Sequence, residues 1–367
     1  MNGPIILNNA REQLADEIVS HREPKPAPLK ISAWLAMSCL QKAIRRSEIE
    51  LAQRAAATLL LIGPERLWRR CGAAAFEEIG VADLQTVSLV TAALAGKRYR
   101  ATIGGEWKVA SFIVDRMAKA PKCRAADDLL LTADSHPRYQ RARADLASKT
   151  MRELIRIATG DAALPVRALA IWYAVGTHPR QTKHLSVRPG EPSALFDGLC
   201  EAGLPHTAVE IAREGFRKIG EPLCPLVALL CPRASFEALT LQDDDMPPAV
   251  MVGEVPGWAY DVYSREGRQA FQTFLHRNCE TTRWVKSHVP AAQRVNFLGT
   301  VVFRVEGGLV RQRARWPTGD ELRRLVDIEC HGSRCPDATE ILPLVRADLD
   351  ELNAIRAELM EVSGHVV

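Results

Sequence analysis

The 367-residue chain has no dominant charge of one sign: 48 lysines and arginines stand against 44 aspartates and glutamates, for a formal net charge of +4. So small an excess excludes a general polyanion-binding coat, and any nucleic-acid surface has to be local. No apolar run approaches the ~20 residues of a membrane span, and the stretch from Met1 to Glu17 turns acidic and polar before a signal-peptide core develops. The expectation is a cytoplasmic protein with no membrane contact. Aromatic residues are scarce at 6%, but 47% hydrophobic and 25% charged residues exclude disorder as the main state. That length and apolar content allow two or three domains with their own cores. The nine cysteines are odd in number, scattered and mostly in apolar stretches, which predicts reduced core thiols instead of a disulfide framework. A Gly-x-x-x-x-Gly-Lys-Ser/Thr phosphate loop is missing, and Gly104-Gly105-Glu106-Trp107-Lys108 has neither its spacing nor its magnesium-binding hydroxyl. Gly-x-Ser-x-Gly, His-Glu-x-x-His and acid pairs at a telling spacing are missing too. No catalytic residue, metal or cofactor is therefore assigned, and an enzyme is the less favoured class.

What is present is helical pattern. Residues 1–28 read as an N-terminal arm closed by the proline-rich connector 22–28, where each proline removes an N–H and fixes φ. Residues 29–242 then read as one helical domain, rich in Ala and Leu. Ala33, Met37, Leu40 and Ile44 line one face of its first helix, Ser47-Glu48-Ile49-Glu50 predicts a capping box for the second, and Gly63-Pro64-Glu65 opens the third. Gly80 supplies a left-handed stop and Asp83 a cap for the next helix. After the acidic, proline-stopped linker 243–248, residues 249–335 read as a small α+β region and 336–367 as a C-terminal helix. The expected fold class is mainly α, with a β-hairpin in the smaller region.

Three blocks carry a family resemblance. Ile31-Ser32-Ala33 through Lys42-Ala43-Ile44-Arg45-Arg46-Ser47 is followed by Trp68-Arg69-Arg70 through Ala74-Ala75-Phe76-Glu77-Glu78-Ile79-Gly80-Val81-Ala82-Asp83, and then by Ala118-Lys119-Ala120-Pro121-Lys122-Cys123. In this order over about 31–135 they resemble the C-terminal helical collar of the MgsA/RarA group of AAA+ ATPases, which act at stalled replication forks. Cys123-Arg124 stands where that family has Ser-Asn, and Arg315-Trp316-Pro317-Thr318 is distantly similar to a Tyr-Phe-Pro-Thr segment near its end. The resemblance implies a clamp-loader-collar-like fold, a replication or repair context and homo-oligomerisation through the collar. With the phosphate loop missing, it carries over no ATPase activity.

The candidate working surfaces lie elsewhere. Residues 301–316 alternate apolar and basic around Gly307-Gly308, which predicts two strands and a two-residue turn. That register sorts Val301, Phe303, Val305, Val310, Ala314 and Trp316 onto one face and Arg304, Arg311, Arg313 and Arg315 onto the other. A row of guanidinium groups expects anions, which a phosphate backbone supplies; the alternatives are pairing with Glu306, Asp320 or Glu321, or an acidic protein partner. Arg45, Arg46 and Lys122 are secondary nucleic-acid candidates, the first two expected to form a second basic cluster of the helical domain with Lys42, Arg66, Arg69 and Arg70. Trp258, Tyr260 and Tyr263 with Arg265 and Arg268 form an aromatic loop that either stacks an unpaired base or plugs a domain junction, Ser264 capping the helix that follows. His276, Cys279, Cys330, His331 and Cys335 are ligand types for zinc, in two halves about fifty residues apart and with no standard knuckle. The favoured expectation is a non-catalytic DNA-transaction factor that binds DNA or a replication or repair assembly through basic surfaces. The alternatives are a scaffold docking on a separately encoded AAA+ ATPase, and an enzyme using the aromatic loop or the Cys/His cluster.

Overall fold

Helix dominates the chain, as its Ala- and Leu-rich periodicity requires: 70% of it is helical, with twenty α-helices among the described residues and only short strands. The structure is a computed structural model that describes residues 3–178, 180–326 and 338–364. Within these the chain forms two compact units, each assembled from three separate stretches of sequence, where the pattern above suggested consecutive regions.

The first unit takes segments 1–23, 68–242 and 312–333, as far as these are described. The expected arm is the helix Gly3–Val19, and it is packed, because Ala10, Leu14 and Ile18 recur at helical spacing and are all buried. Glu17 also accepts an ion pair from Arg116 at 2.8 Å. After Ala74 the helix widens into a π-helical turn, Ala75–Ile79, and Gly80 at φ +49° ends it. A Cβ on Gly80 would meet the Cys123 carbonyl oxygen at 3.0 Å, so both backbone angle and space favour glycine. Asp83 caps the next helix as expected, accepting from the Thr86 N–H at 3.0 Å. Strand Thr240–Gln242 pairs antiparallel with strand Arg313–Arg315, Leu241 opposite Ala314.

The second unit takes segments 24–67, 243–311 and 334–367, again as far as described. Helices Ala33–Arg45 and Ile49–Ile62 pack as a pair joined by a three-residue link. The expected capping box at Ser47 does not form, because Ser47 turns the corner at φ +57° and the second helix starts at Ile49 without a side-chain cap. The core of the unit gathers Phe271, Phe274, Trp284, Leu298, Val301, Val302, Val305, Ile341, Val345 and Ile355. In place of one C-terminal helix there are two, Ala338–Ala347 and Leu349–Gly364, broken at Asp348, whose carboxylate accepts the Thr281 N–H at 2.9 Å.

The predicted hairpin is absent. Residues 294–302 are α-helix, 303–307 a π-helical turn, and only 313–315 are strand, paired with 240–242 and not with 301–306. The apolar positions explain why: Leu298, Val301, Val302 and Val305 follow the i, i+3, i+4, i+7 pattern of a helix, and all four are buried. The alternation of Val301, Phe303 and Val305 is a short sample of the same residues. Gly308 has φ −90°, and neither glycine of the pair adopts the positive φ that a two-residue hairpin turn demands; Gln312 takes a left-handed angle instead.

Candidate functional site

Without the hairpin, the four arginines share no strand face. Arg304 and Arg311 belong to the second unit, Arg313 and Arg315 to the first. Arg304 is half-buried on the π-helical turn, and Arg311 is exposed with Asp243 at 3.6 Å. Arg313 is 7% exposed within its strand. Arg315 forks onto Asp320, at 2.6 and 3.1 Å, and donates to Gln242 at 2.9 Å, which is the carboxylate pairing weighed as the alternative. Trp316 is buried and N-caps helix Pro317–Arg324.

The secondary candidates are internal as well. Arg45, Arg46 and Lys122 are all buried. Of the aromatic loop, Trp258 and Tyr260 are buried, the Tyr260 hydroxyl donating to the Val252 carbonyl at 3.0 Å. Tyr263 is 85% exposed, and Arg265 and Arg268 are exposed too, Arg268 donating to Asn296 Oδ1 at 3.3 Å. Ser264 is the expected cap, accepting from Gly267 N–H at 3.1 Å. Cys330, His331 and Cys335 lie outside the described residues, while His276 and Cys279 lie on either side of Arg277 and Asn278.

What the fold does bring together are two of the three blocks that carry the resemblance. In the first unit the Cys123 N–H donates to the Glu78 carbonyl at 2.8 Å, and Arg124 donates to the carboxylates of Glu78 at 2.7 Å and Glu77 at 3.1 Å, with Asp127 as a further ion-pair partner. The segment from 312 onward joins the same place: Lys122 N–H donates to the Gln312 carbonyl at 2.9 Å and Ala314 N–H to the Lys122 carbonyl at 2.7 Å. Thus 75–83, 118–127 and 312–316, far apart in sequence, meet at one buried charged node. Glu78 is fully buried and Arg124 nearly so. Burial opposes the charge of Arg124, but Glu78, Asp127 and Glu77 outweigh it and hold its pKa well above the ordinary value. Lys122 has the reverse balance: burial pushes its pKa down to about 8 against the pull of Glu78, and its ammonium is held by the carbonyls of Ala118 and Ala120.

The second unit has a node of its own, built by the first resemblance block. Lys42 Nζ lies 2.8 Å from both Asp261 Oδ2 and Ser38 Oγ, beside a narrow crevice lined by Trp258, Tyr260, Phe271, Phe303 and Glu306. Arg45 donates to the Gly307 carbonyl at 2.5 Å and Arg46 to the Glu306 carbonyl at 3.0 Å, so the two guanidinium groups cap the C-terminal end of the 294–307 helical stretch. Each also lies 5.1 Å from an aromatic ring centre, Arg45 over Phe303 and Arg46 over Trp258. Arg356 completes the node through the Glu306 carboxylate at 2.6 Å and the Tyr260 carbonyl at 3.2 Å.

The sequence pattern accounts for Glu77 and Glu78 as helix-end residues, marks Arg124 only as a departure from the family's Ser-Asn and Glu306 only as a partner for the hairpin arginines, and gives Asp261 and Arg356 no role. The available signal was charge inside apolar surroundings: Lys122 and Arg124 flank Cys123 just after Ala118 and Ala120, and Asp261 sits among Trp258, Tyr260 and Tyr263. Comparison with known proteins adds nothing to this geometry: no family model, curated protein or solved structure matches the chain.

Proposed function

We propose that the protein is an interaction scaffold of a replication or repair assembly, docking on a separately encoded AAA+ ATPase through the helix pair Ala33–Arg45 and Ile49–Ile62. The observation that carries this reading is a set of exposed apolar side chains on the helix pair whose first helix holds the collar-like segment 31–47. A three-residue link makes the pair antiparallel, so the start of the first helix and the end of the second lie at the same end. There Trp34 is 59% exposed, Leu61 75% and Ile62 51%. Large apolar side chains at one end of a helical pair, with Lys42, Arg45 and Arg46 turned inward, suit a protein surface better than a phosphate backbone.

Supporting the same reading, the blocks 75–83 and 118–124 converge on one node, as parts of a single inherited architecture would. The basic-surface reading draws less support, because Arg313, Arg45, Arg46 and Lys122 are buried and Arg315 is held by Asp320.

The test is affinity capture with the full chain from nuclease-treated lysate. An AAA+ ATPase retained by the wild type and lost with Trp34→Ala/Leu61→Ser supports docking by this patch. Capture that disappears on nuclease treatment replaces it with the DNA-binding reading. Self-association in sedimentation that the same double variant abolishes, with no ATPase captured, replaces it with a homo-oligomer.

A further inference from the structure

A tight helical corner in the first unit assembles three metal-ligating side chains that no reading above uses. Helix Pro192–Glu201 ends in a turn where Gly203 N–H donates to the Cys200 carbonyl and Leu204 N–H to the Leu199 carbonyl, with Gly203 at φ +82°. That angle favours glycine and reverses the chain within three residues. Pro205 then starts helix His206–Ile219. The corner sets the Cys200 thiol beside the first turn of the next helix, where His206 and Glu210, four residues apart, share a face. Cys200 Sγ, a ring nitrogen of His206 and a carboxylate oxygen of Glu210 all lie within 4.8 Å of one another.

We propose that Cys200, His206 and Glu210 bind a divalent transition-metal ion, with zinc the natural occupant. Donor chemistry selects the ion: a thiolate and an imidazole beside a single carboxylate suit Zn²⁺ or Co²⁺, whereas Mg²⁺ and Ca²⁺ take oxygen shells. Tetrahedral zinc at ordinary bond lengths sets its ligand atoms about 3.3–3.8 Å apart, so the three need to close by at most about 1.5 Å, within the reach of side-chain rotation.

The surroundings fit an ion as well. Arg213 donates through Nε to Glu210 Oε1 at 3.2 Å and through Nη2 to Asp197 Oδ1 at 2.8 Å, with its guanidinium 5.5 Å from the centre of the Phe196 ring. A hydrogen bond to one oxygen of a carboxylate fixes its orientation and leaves the other oxygen for a metal, as outer partners of metal ligands do. Charge balances too: one thiolate and one carboxylate neutralise a divalent ion, while Arg213 and Asp197 neutralise each other. Glu210 is 9% exposed and His206 open to solvent, so the site has a fixed floor and an entrance. Three protein ligands leave the fourth tetrahedral position for water.

Cobalt titration of the full-length protein, stripped with chelator and kept reduced, tests this. The expected result is a thiolate-to-cobalt charge-transfer band that saturates at one equivalent and is bleached by zinc. It disappears in Cys200→Ser and needs at least ~100-fold more cobalt in His206→Ala, while Cys279→Ser keeps it. His206 is exposed, so its replacement leaves the helical circular dichroism unchanged, and Arg213→Met weakens binding about 10–100-fold as loss of an outer partner does. Absence of the band in the wild type overturns the assignment. So does a band that survives Cys200→Ser and vanishes when Cys330 and Cys335 are replaced.

Discussion

Glu78 and Arg124 show how much one buried pair can be made to hold. A carboxylate with no solvent exposure is tolerable only because Arg124 donates to it at 2.7 Å and Cys123 ties the neighbouring backbone down. Removing one partner strands the other charge in the interior, at a typical cost of about 3–5 kcal/mol. Glu78→Ala and Arg124→Ala should each lower the unfolding free energy measured by urea denaturation by that amount. The double variant should cost less than the sum by about 1–3 kcal/mol, the signature of groups in direct contact. Additive losses would mean that the two side chains act separately. Gly80→Ala at the same node combines a φ of +49° with a Cβ 3.0 Å from the Cys123 carbonyl, and should cost about 1–2 kcal/mol in the same assay.

At the scale of elements, the 294–307 stretch depends on partners outside itself. Its last carbonyls, at Glu306 and Gly307, accept from Arg46 and Arg45, the Glu306 carbonyl also from the Leu309 N–H at 3.4 Å, and a lost charge-assisted bond to a buried carbonyl costs about 1–3 kcal/mol. Arg45→Ala and Arg46→Ala should therefore speed hydrogen exchange over 298–307 while leaving helix Glu106–Lys119 of the other unit protected. Uniform loss of protection in both units would assign the arginines a global role. This stretch also marks the limit of what the amino-acid pattern made legible. The helices whose ends are written in local chemistry, Asp83 and Ser264 as caps, Pro64 at a first position, Gly80 as a stop, were readable because capping depends on residues within one turn. Residues 301–306 satisfied a strand and a helix equally well, and the choice was made by Leu298, Ile341 and Ile355, which bury the helical face. The charged nodes were harder still. That Glu78 meets Arg124, or Arg46 the carbonyl of Glu306, is a fact of tertiary contact across 46 and 260 residues, and spacing along the chain has no signal for it.

For the molecule as a whole, the reduced and buried thiols make alkaline pH a sensitive variable. Burial pushes Cys39, Cys71 and Cys231 from an ordinary 9.0 up to about 12, and Cys123 to about 11. A group with a raised native pKa stabilises the fold fully below its unfolded value, and that contribution is lost as pH climbs through the native one. Lys122 works against this. Its pKa is lowered by burial to about 8 from 10.5, so its charge weakens the fold below pH 8 and the penalty is relieved between 8 and 10.5. Four thiols outweigh one amine, so the urea midpoint should fall as pH rises above about 9. In Lys122→Met the compensating rise is gone, and the difference between wild type and variant should grow in favour of the wild type from pH 8 to 10.5. Cys71→Ala/Cys231→Ala should in turn flatten the decline above pH 9 whatever it does to stability at neutral pH. A profile level from pH 8 to 10.5 in all three proteins would show that these groups are hydrated in the native state, and would remove the buried character on which both the thiol core and the Lys122 contact with Ala118 and Ala120 rest.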